Sequence, residues 1–294
     1  MSSKSAPSAE QKLALLQIHM GILLLGGTAL FSKLIPLSGD SITFARAVVA
    51  AIFLTILVKS SEGSVKLNNF KDLRNGIILG ILMAVHWVTY FLAMQYSSVA
   101  TGMIALYTYP VMVVLFEPLL HKKLPQKQDI LMAFIVLIGV ALLVPDLSFK
   151  SDYSIGILLG VLSAAFFAAR NIMNNRVFSH YSGTKNMMVQ ASVVALVLLP
   201  FEIQNFNADI EPSTWGMIVL LGIVFTALPH SLIVSGLRFV QAKTMSLVSC
   251  LAPVYGMILA ALILSEYPNW QTILGGALVV SAAIYETMVV HKQN

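Results

Sequence analysis

Three side chains that can bind a small molecule or exchange a proton with it stand close together in an apolar stretch: His86, Trp87 and Tyr90. With Met83 and Met94 they recur at spacings of three and four residues, so a helix places all five on one face. An unpaired imidazole or phenol is costly in apolar surroundings, so this face should point into protein. There the aromatic rings can stack on an apolar or cationic group, and His86 can donate a hydrogen bond or exchange a proton.

Two prolines interrupt apolar stretches that also carry polar side chains. Pro110 follows Tyr107 by three residues, and Pro253 lies beside Ser249 and Tyr255. A proline inside a helix removes one backbone hydrogen bond and frees a carbonyl, which kinks the helix and offers an acceptor to a ligand. A kink that serves packing only is the alternative, and both interpretations stay open.

A third polar set lies between residues 163 and 174. Ser163, Phe167 and Asn171 are candidate substrate contacts, and Asn174 is expected beside Asn171 at the inner mouth of a cavity. We expect Arg170 to extend its long side chain to the cytoplasmic interface instead.

A second histidine, His230, follows Thr226 and Pro229. In the internal repeat described below, Pro229 aligns with His86. Two histidines on related helices would titrate near physiological pH, so proton coupling is one hypothesis for them. The alternative is that each imidazole is simply hydrogen-bonded within the core.

Three charged residues are candidates for charge recognition or coupling: Lys33, Arg46 and Glu266. A charge inside a membrane costs roughly 2.5 to 3.5 kcal/mol on insertion scales, so each needs a reason. Lys33 or Arg46 could clamp a substrate carboxylate, or could cap carbonyls and pair with Asp40. Glu266 stands at a helix end, where solvation favours a structural role.

The composition defines the elements that must position these residues. Of 294 residues, 57% are hydrophobic and 11% are charged, and the mean hydropathy is +0.83, which excludes a soluble domain with a solvated surface. The apolar runs are continuous rather than alternating, which predicts an all-α integral membrane protein and not a β-barrel. The ten predicted spans are 13–35, 39–58, 75–95, 99–118, 128–144, 154–175, 186–201, 214–236, 243–264 and 269–290.

The lysines and arginines predict the orientation of these spans. Of 18 such residues, all except Lys33, Arg46 and Lys150 fall on the side that holds both termini. The positive-inside rule therefore places both termini in the cytoplasm and the chain in the cytoplasmic (inner) membrane. The net charge of +5 follows from this topology and does not indicate nucleic acid. The single cysteine, Cys250, excludes a disulfide within one chain.

The two parts of the chain repeat each other. Residues 99–125 align without a gap on 242–268, with five identities in 27 that include both prolines. Residues 21–31 match 156–166 at six of 11 positions, and residues 38–51 match 182–195 at five of 14. The predicted organisation is a tail (1–12), a first five-helix repeat (13–144), a connecting loop (145–153), a second five-helix repeat (154–290) and a tail (291–294). Because five is odd, the second repeat is inverted in the membrane, an arrangement typical of transporters.

The stretch from Ala252 to Ala283 resembles the EamA-type pattern of the drug/metabolite transporter superfamily, with Pro253 and an acidic Glu266 thirteen residues later. FARAVVAA, from Phe44 to Ala51, is similar to the arginine segment of that family's second helix. The resemblance covers essentially the whole chain and implies ten spans and the transport of small metabolites, often amino acids. Lys123 departs from it, because the family commonly has an acidic residue there.

We therefore expect a secondary transporter that exports small polar metabolites, most simply amino acids or related zwitterions, by alternating access around a central cavity. Its partners would be a small-molecule substrate and the lipid bilayer, with protons as an open alternative, and the assembly a monomer or a homodimer. No cofactor or metal motif is present. A membrane-embedded enzyme acting on a lipid or isoprenoid, and a non-transporting scaffold, are the alternatives.

Overall fold

The computed structural model describes residues 9–120, 122, 124–143, 151–205, 210–236, 239 and 248–293. Within these ranges every regular element is a helix. Several expectations lie partly or wholly outside the described residues: residues 1–8 of the first tail, Lys123, residue 144 at the end of the fifth span and first repeat, residues 145–150 of the connecting loop, residues 243–247 of the ninth span and residue 294 of the second tail.

Thirteen α-helices and one π turn make up the described part of the chain. They are α1 (Ala9–Thr28), α2 (Phe31–Leu34), α3 (Gly39–Glu62), α4 (Phe70–Tyr96), α5 (Val99–Leu106), α6 (Tyr109–Leu120), α7 (Lys127–Ala141), α8 (Asp152–Val177), α9 (Gly183–Asn205), α10 (Pro212–Gly222), the π turn (Ile223–Ala227), α11 (Leu228–Gly236), α12 (Ala252–Leu264) and α13 (Trp270–Gln293).

Seven helical segments are long and apolar enough to cross a membrane. They are Glu10–Leu34, Gly39–Glu62, Phe70–Tyr96, Val99–Leu119, Asp152–Val177, Gly183–Ile203 and Pro212–Ile233. The predicted fifth, ninth and tenth spans overlap α7, α12 and α13, which do not belong to that set of seven. The protein is thus helical with several membrane-spanning helices, while the number ten stays a prediction.

The longest helix, α4, has clear reasons for its length and its ends. Its 27 residues span about 40 Å at 1.5 Å per residue, enough to cross the hydrocarbon layer. At its start the Asn69 side chain accepts a hydrogen bond of 2.8 Å from the Asp72 backbone N–H, which satisfies an otherwise unpaired donor. The preceding helix, α3, ends at Gly63, whose φ of +72° only glycine adopts easily.

The two prolines occupy helix starts rather than the middle of continuous helices. The backbone leaves the helical path at Tyr107 and Thr108, and Pro110 lies in the first turn of α6. Pro253 lies in the first turn of α12 in the same way. A first-turn proline gives up no intrahelical hydrogen bond, because its N–H would have no partner there. The expected kink is thus a helix break, which reorients the residues just before each proline.

The helix pairs pack closely because glycines face backbone across them. A Cβ added at Gly156 of α8 would lie 2.8 Å from the carbonyl oxygen of Ala93 in α4. A Cβ added at Gly26 of α1 would lie 2.9 Å from the carbonyl oxygen of Ala252. The helices α4 and α8 therefore run against each other, and α1 packs on α12 and on α11. The cavity lies between the α4–α8 pair and the group formed by α1, α11 and α12.

Large apolar side chains cover the outside of the bundle. Ile56, Leu137 and Leu262, on three different helices, are 64%, 62% and 76% exposed. An exposed apolar surface of this extent fits lipid rather than water.

Candidate functional site

A central cavity of about 340 Å³ lies among α1, α3, α4, α5, α6, α8, the π turn, α11 and α12. Nine of the fifteen candidate site residues line it: Arg46, His86, Trp87, Tyr90, Tyr107, Phe167, Asn171, His230 and Ser249. The remaining candidates, Lys33, Pro110, Ser163, Pro253, Tyr255 and Glu266, lie elsewhere.

Contacts with α8 hold His86 in one tautomer. Its Nδ1 lies 2.8 Å from the Ser163 hydroxyl and 3.3 Å from the Ser163 carbonyl oxygen, while that hydroxyl donates to the His86 carbonyl at 2.9 Å. The carbonyl only accepts, and the hydroxyl has spent its one proton, so Nδ1 must be the donor. Phe167 stacks on the ring with centroids 4.5 Å apart. Ser163 therefore acts by orienting His86, and Nε2 is the nitrogen left for a cavity occupant.

His230 reaches the cavity from α11, and the same reasoning identifies which of its nitrogens carries the proton. Its Nδ1 lies 2.6 Å from the Thr226 carbonyl oxygen, so Nδ1 donates and Nε2 is left for a ligand. The Thr226 hydroxyl in turn donates to the Leu221 carbonyl at 2.8 Å, five residues back, as the wider π turn requires. Pro229 has no N–H to donate, and the Phe225 carbonyl accepts 2.8 Å from the Thr28 hydroxyl.

Arg46 is buried at the cavity with its guanidinium against aromatic faces. The guanidinium carbon lies 3.9 Å from the centroid of Trp87 and 4.6 Å from that of Phe91. Its Nε and Nη2 are buried without a hydrogen-bond partner in the described part of the chain. These two atoms thus make neither of the contacts, to Asp40 or to a carbonyl, that the structural interpretation of Arg46 would require.

Arg170 also lines the cavity, so the expectation that it extends to the cytoplasmic interface is wrong. Its Nε donates to Gln190 Oε1 at 2.8 Å, and its Nη1 donates to Asn171 Oδ1 at 2.9 Å. Gln190 is fully buried on α9 and lies where the repeat aligns Arg46. Because these amides are inside the bundle, they turn the guanidinium inward. Asn174 accepts from the Asn186 amide at 2.6 Å and extends this polar chain.

The helix break before α6 places Tyr109, which the sequence analysis did not select, at the cavity. Tyr107 donates to the Ser249 carbonyl at 2.7 Å, and Tyr109 packs edge-on against Phe167 with centroids 4.8 Å apart. Residues two apart face different sides of a continuous helix, so only the break places both tyrosines at the cavity. The proline just beyond them, Pro110, was the available signal.

Two of the remaining candidates, Lys33 and Glu266, join helices at the end of the bundle where α4 ends. Lys33 Nζ donates to the carbonyls of Gln95 and Ser97 at 3.2 and 3.3 Å. Glu266 Oε1 accepts 2.7 Å from the Val99 N–H and so caps the start of α5. Tyr255 contacts His19 at 3.2 Å. None of these three residues is among those that line the cavity.

At the other end, where α4 begins, Tyr181 ties the α8–α9 connection to α4. Its hydroxyl donates to Asp72 Oδ2 at 2.8 Å and accepts from the Asn68 N–H at 2.7 Å. Burial and the nearby Asp72 carboxylate raise the pKa of Tyr181, because both disfavour a phenolate. His180 also contacts that carboxylate, at 3.3 Å.

Comparison with known proteins gives a family and several relatives. Residues 12–144 and 154–286 each match the sequence profile of the EamA-like transporter family. An uncharacterized transporter of Bacillus subtilis is 24% identical over 97% of this chain and 92% of its own length. The pseudopaline exporter of Pseudomonas aeruginosa is 24% identical over 84% of this chain and 86% of its own, and the biotin transporter of Escherichia coli is 23% identical over 82% and 80%. A solved crystal structure superposes with a TM-score of 0.64 at 20% identity, covering 95% of this chain and 98% of the other, which shows a shared fold.

Proposed function

The chain belongs to the EamA-like transporter family, and from this membership we propose that it is a secondary transporter that exports small polar metabolites through its central cavity. Amino acids and related zwitterions are the solutes predicted from the sequence. The observation that carries the proposal is a cavity inside a membrane bundle whose walls hold oriented polar groups, His86, His230 and Arg46, where lipid-facing packing would need none.

Alternating access is the mechanism we propose, and the helix pairing supports it. The family profile matches twice, in ranges close to the two repeats proposed for 13–144 and 154–290. If the repeats are inverted, an exchange of the two parts turns the α4–α8 pair into the pair of α11 with α1, and both pairs are present. It also maps α7 onto α13, which pack through Gly139 and Gly275. A cavity between two interchangeable parts opens to either side when their conformations are exchanged.

The relatives support export and transport in general, and their printed names differ in what they carry. One is named for pseudopaline and another for biotin, at 24% and 23% identity. A solute therefore has to be argued from this chain's own cavity. The proposal also places the protein in the cytoplasmic membrane with both termini in the cytoplasm, as a monomer or homodimer. Proton coupling stays an open alternative within it.

Uptake into proteoliposomes tests the proposal. Radiolabelled amino acids and other metabolites are supplied with and without a pH gradient, and thermal unfolding of the purified protein is followed with the same solutes. We expect at least one solute to be transported and to raise the unfolding temperature. If no solute moves and none stabilises the protein, the transporter proposal fails; if a solute moves equally with and without the gradient, proton coupling fails.

A pair of variants on α4 ties transport to the cavity. Trp87→Ala removes a cavity wall and the ring under Arg46, so transport should fall at least about ten-fold. Ile81→Ala changes a residue of the same helix that is 42% exposed on the outside, and transport should stay within about two-fold. Equal losses in two variants that fold equally well would remove the α4 face from the transport path.

A further inference from the structure

The cavity holds two positive charges and no described negative one. Arg46 and Arg170 both line it, and none of its described lining residues is Asp or Glu. The ion pairs found among the described residues, His180 with Asp72 and Lys185 with Glu62, involve neither arginine. A guanidinium stays protonated in proteins, so the cavity carries two cations that no described carboxylate neutralises.

Arg46 has hydrogen-bonding capacity that the protein does not use. The side chain is 2% exposed, and its Nε and Nη2 have no hydrogen-bond partner among the residues that the structure describes. These atoms form one edge of the guanidinium, the edge that receives the two oxygens of a carboxylate in a bidentate pair. The rings of Trp87 and Phe91 hold the plane but accept nothing at that edge. A buried charge left in this way is unfavourable, so an anion reaching that edge would be bound strongly.

Arg170 is oriented by neutral groups alone. Its two described acceptors, Gln190 and Asn171, are amides that fix the direction of the guanidinium without cancelling its charge. Arg46 reaches the cavity from α3 and Arg170 reaches the same cavity from α8. Two cations on separate helices are suited to two acid groups on one solute.

We propose that the cavity selects solutes with two acid groups, one bound by Arg46 and the other by Arg170, over zwitterions with no net charge. This rests on the proposed transport function and narrows its solute class. The ammonium group of a zwitterion would enter a cavity that offers it two cations and no described carboxylate, which disfavours binding. The aromatic walls formed by Trp87, Tyr90 and Phe167 contact the carbon chain between the acid groups.

A matched ligand series measures this selection. Glutarate, valerate and 4-aminobutyrate share a carboxylate and three methylenes and differ only in a terminal carboxylate, methyl or ammonium group. Binding to the purified full-length protein is measured by titration calorimetry, and the series is repeated with two and four methylenes. At the best chain length we expect the dicarboxylate to bind at least about ten-fold more tightly than the monocarboxylate, with the amino acid weakest. An amino acid that binds as tightly as the dicarboxylate overturns the proposal.

Arginine variants assign the two subsites. Arg46→Gln and Arg170→Gln should each reduce dicarboxylate affinity at least about ten-fold, to the level of the monocarboxylate. Monocarboxylate affinity should fall less than this in one of the two variants, because a single carboxylate occupies only one of the two subsites. Arg74→Gln, which removes an exposed cation from the start of α4, should leave both affinities unchanged. If Arg46→Gln does not fold, Arg46→Lys keeps the charge without the two-pronged edge, and Arg170→Gln tests the second subsite separately. Wild-type selectivity in the folded variants overturns the proposal.

Transport of the same series separates this inference from the proposed function. Dicarboxylates that bind with the expected selectivity but are not moved in proteoliposomes would refute the transport function and leave the binding site intact. Zwitterions that are moved while dicarboxylates neither bind nor move would refute this inference and leave the transport function standing. Failure of every solute to bind and to move would refute both.

Discussion

Ser163 is the residue whose loss should most directly disturb the geometry of the cavity without touching a ligand. Replacing it by alanine removes the acceptor 2.8 Å from His86 Nδ1 and leaves only the 3.3 Å contact to the Ser163 carbonyl. The His86 carbonyl keeps its helical backbone partner within α4, so only the imidazole N–H is poorly satisfied. A buried donor in that position costs about 1–2 kcal/mol.

The free energy of unfolding is measured in mixed detergent micelles, alongside Ser192→Ala as the control. Ser192 donates 2.8 Å to the Met188 carbonyl within its own helix, and that carbonyl keeps its backbone partner, so the control should lie within about 0.5 kcal/mol of the wild type. Ser163→Ala should also weaken solute binding several-fold, because Nε2 of His86 is no longer held in one direction. Equal stabilities of the two variants, or unchanged solute affinity in Ser163→Ala, would refute the role assigned to this hydroxyl.

Three further outcomes follow from contacts outside the cavity. Gly156→Ala should destabilise the protein by about 1–3 kcal/mol, because its Cβ meets backbone at 2.8 Å, whereas Gly216→Ala, with nothing within 4 Å, should not; thermal unfolding compares them. Glu266→Gln should lower stability by about 0.5–1.5 kcal/mol through a weaker cap on Val99 and leave the response of transport to a pH gradient unchanged; loss of that response would make it a coupling residue. Tyr181→Phe removes the hydrogen bond to the Asp72 carboxylate of α4. Because the pKa of Tyr181 is raised in the folded protein, the wild type should lose stability as the pH rises from about 10, the pKa of an unfolded tyrosine, through the higher folded pKa, and the variant should not show this loss. Identical curves of stability against pH for the two proteins above pH 9 would contradict this.

Helical periodicity was sufficient to place part of the cavity. His86, Trp87 and Tyr90 lie on one face of an unbroken helix, where a spacing of three and four residues translates directly into direction. The membrane class likewise follows from composition, because a chain with 57% hydrophobic residues has too little polar surface for water.

Periodicity failed where the backbone departs from a regular helix or where a neighbour decides the direction of a side chain. Tyr109 faces the cavity because α5 ends before it, and Phe225 does so within a π turn. The inward direction of Arg170 depends on Gln190, a partner from another helix, and a long side chain near a helix end could equally reach the interface. Such choices depend on tertiary contacts, which local sequence does not contain.

The π turn has a mechanical consequence for the bundle. On one side of the cavity, α4 and α8 are continuous over 27 and 26 residues, and bending either helix would break backbone hydrogen bonds. On the other side, α1 is interrupted after Thr28, and the facing helix is interrupted by the π turn, with the two interruptions joined by the Thr28–Phe225 bond. The wall formed by α4 and α8 is therefore stiff, whereas the wall formed by α1 and its facing helix can bend where the two interruptions meet. Motion of the walls should concentrate at that joint, and amide hydrogen exchange should be faster there than along α4.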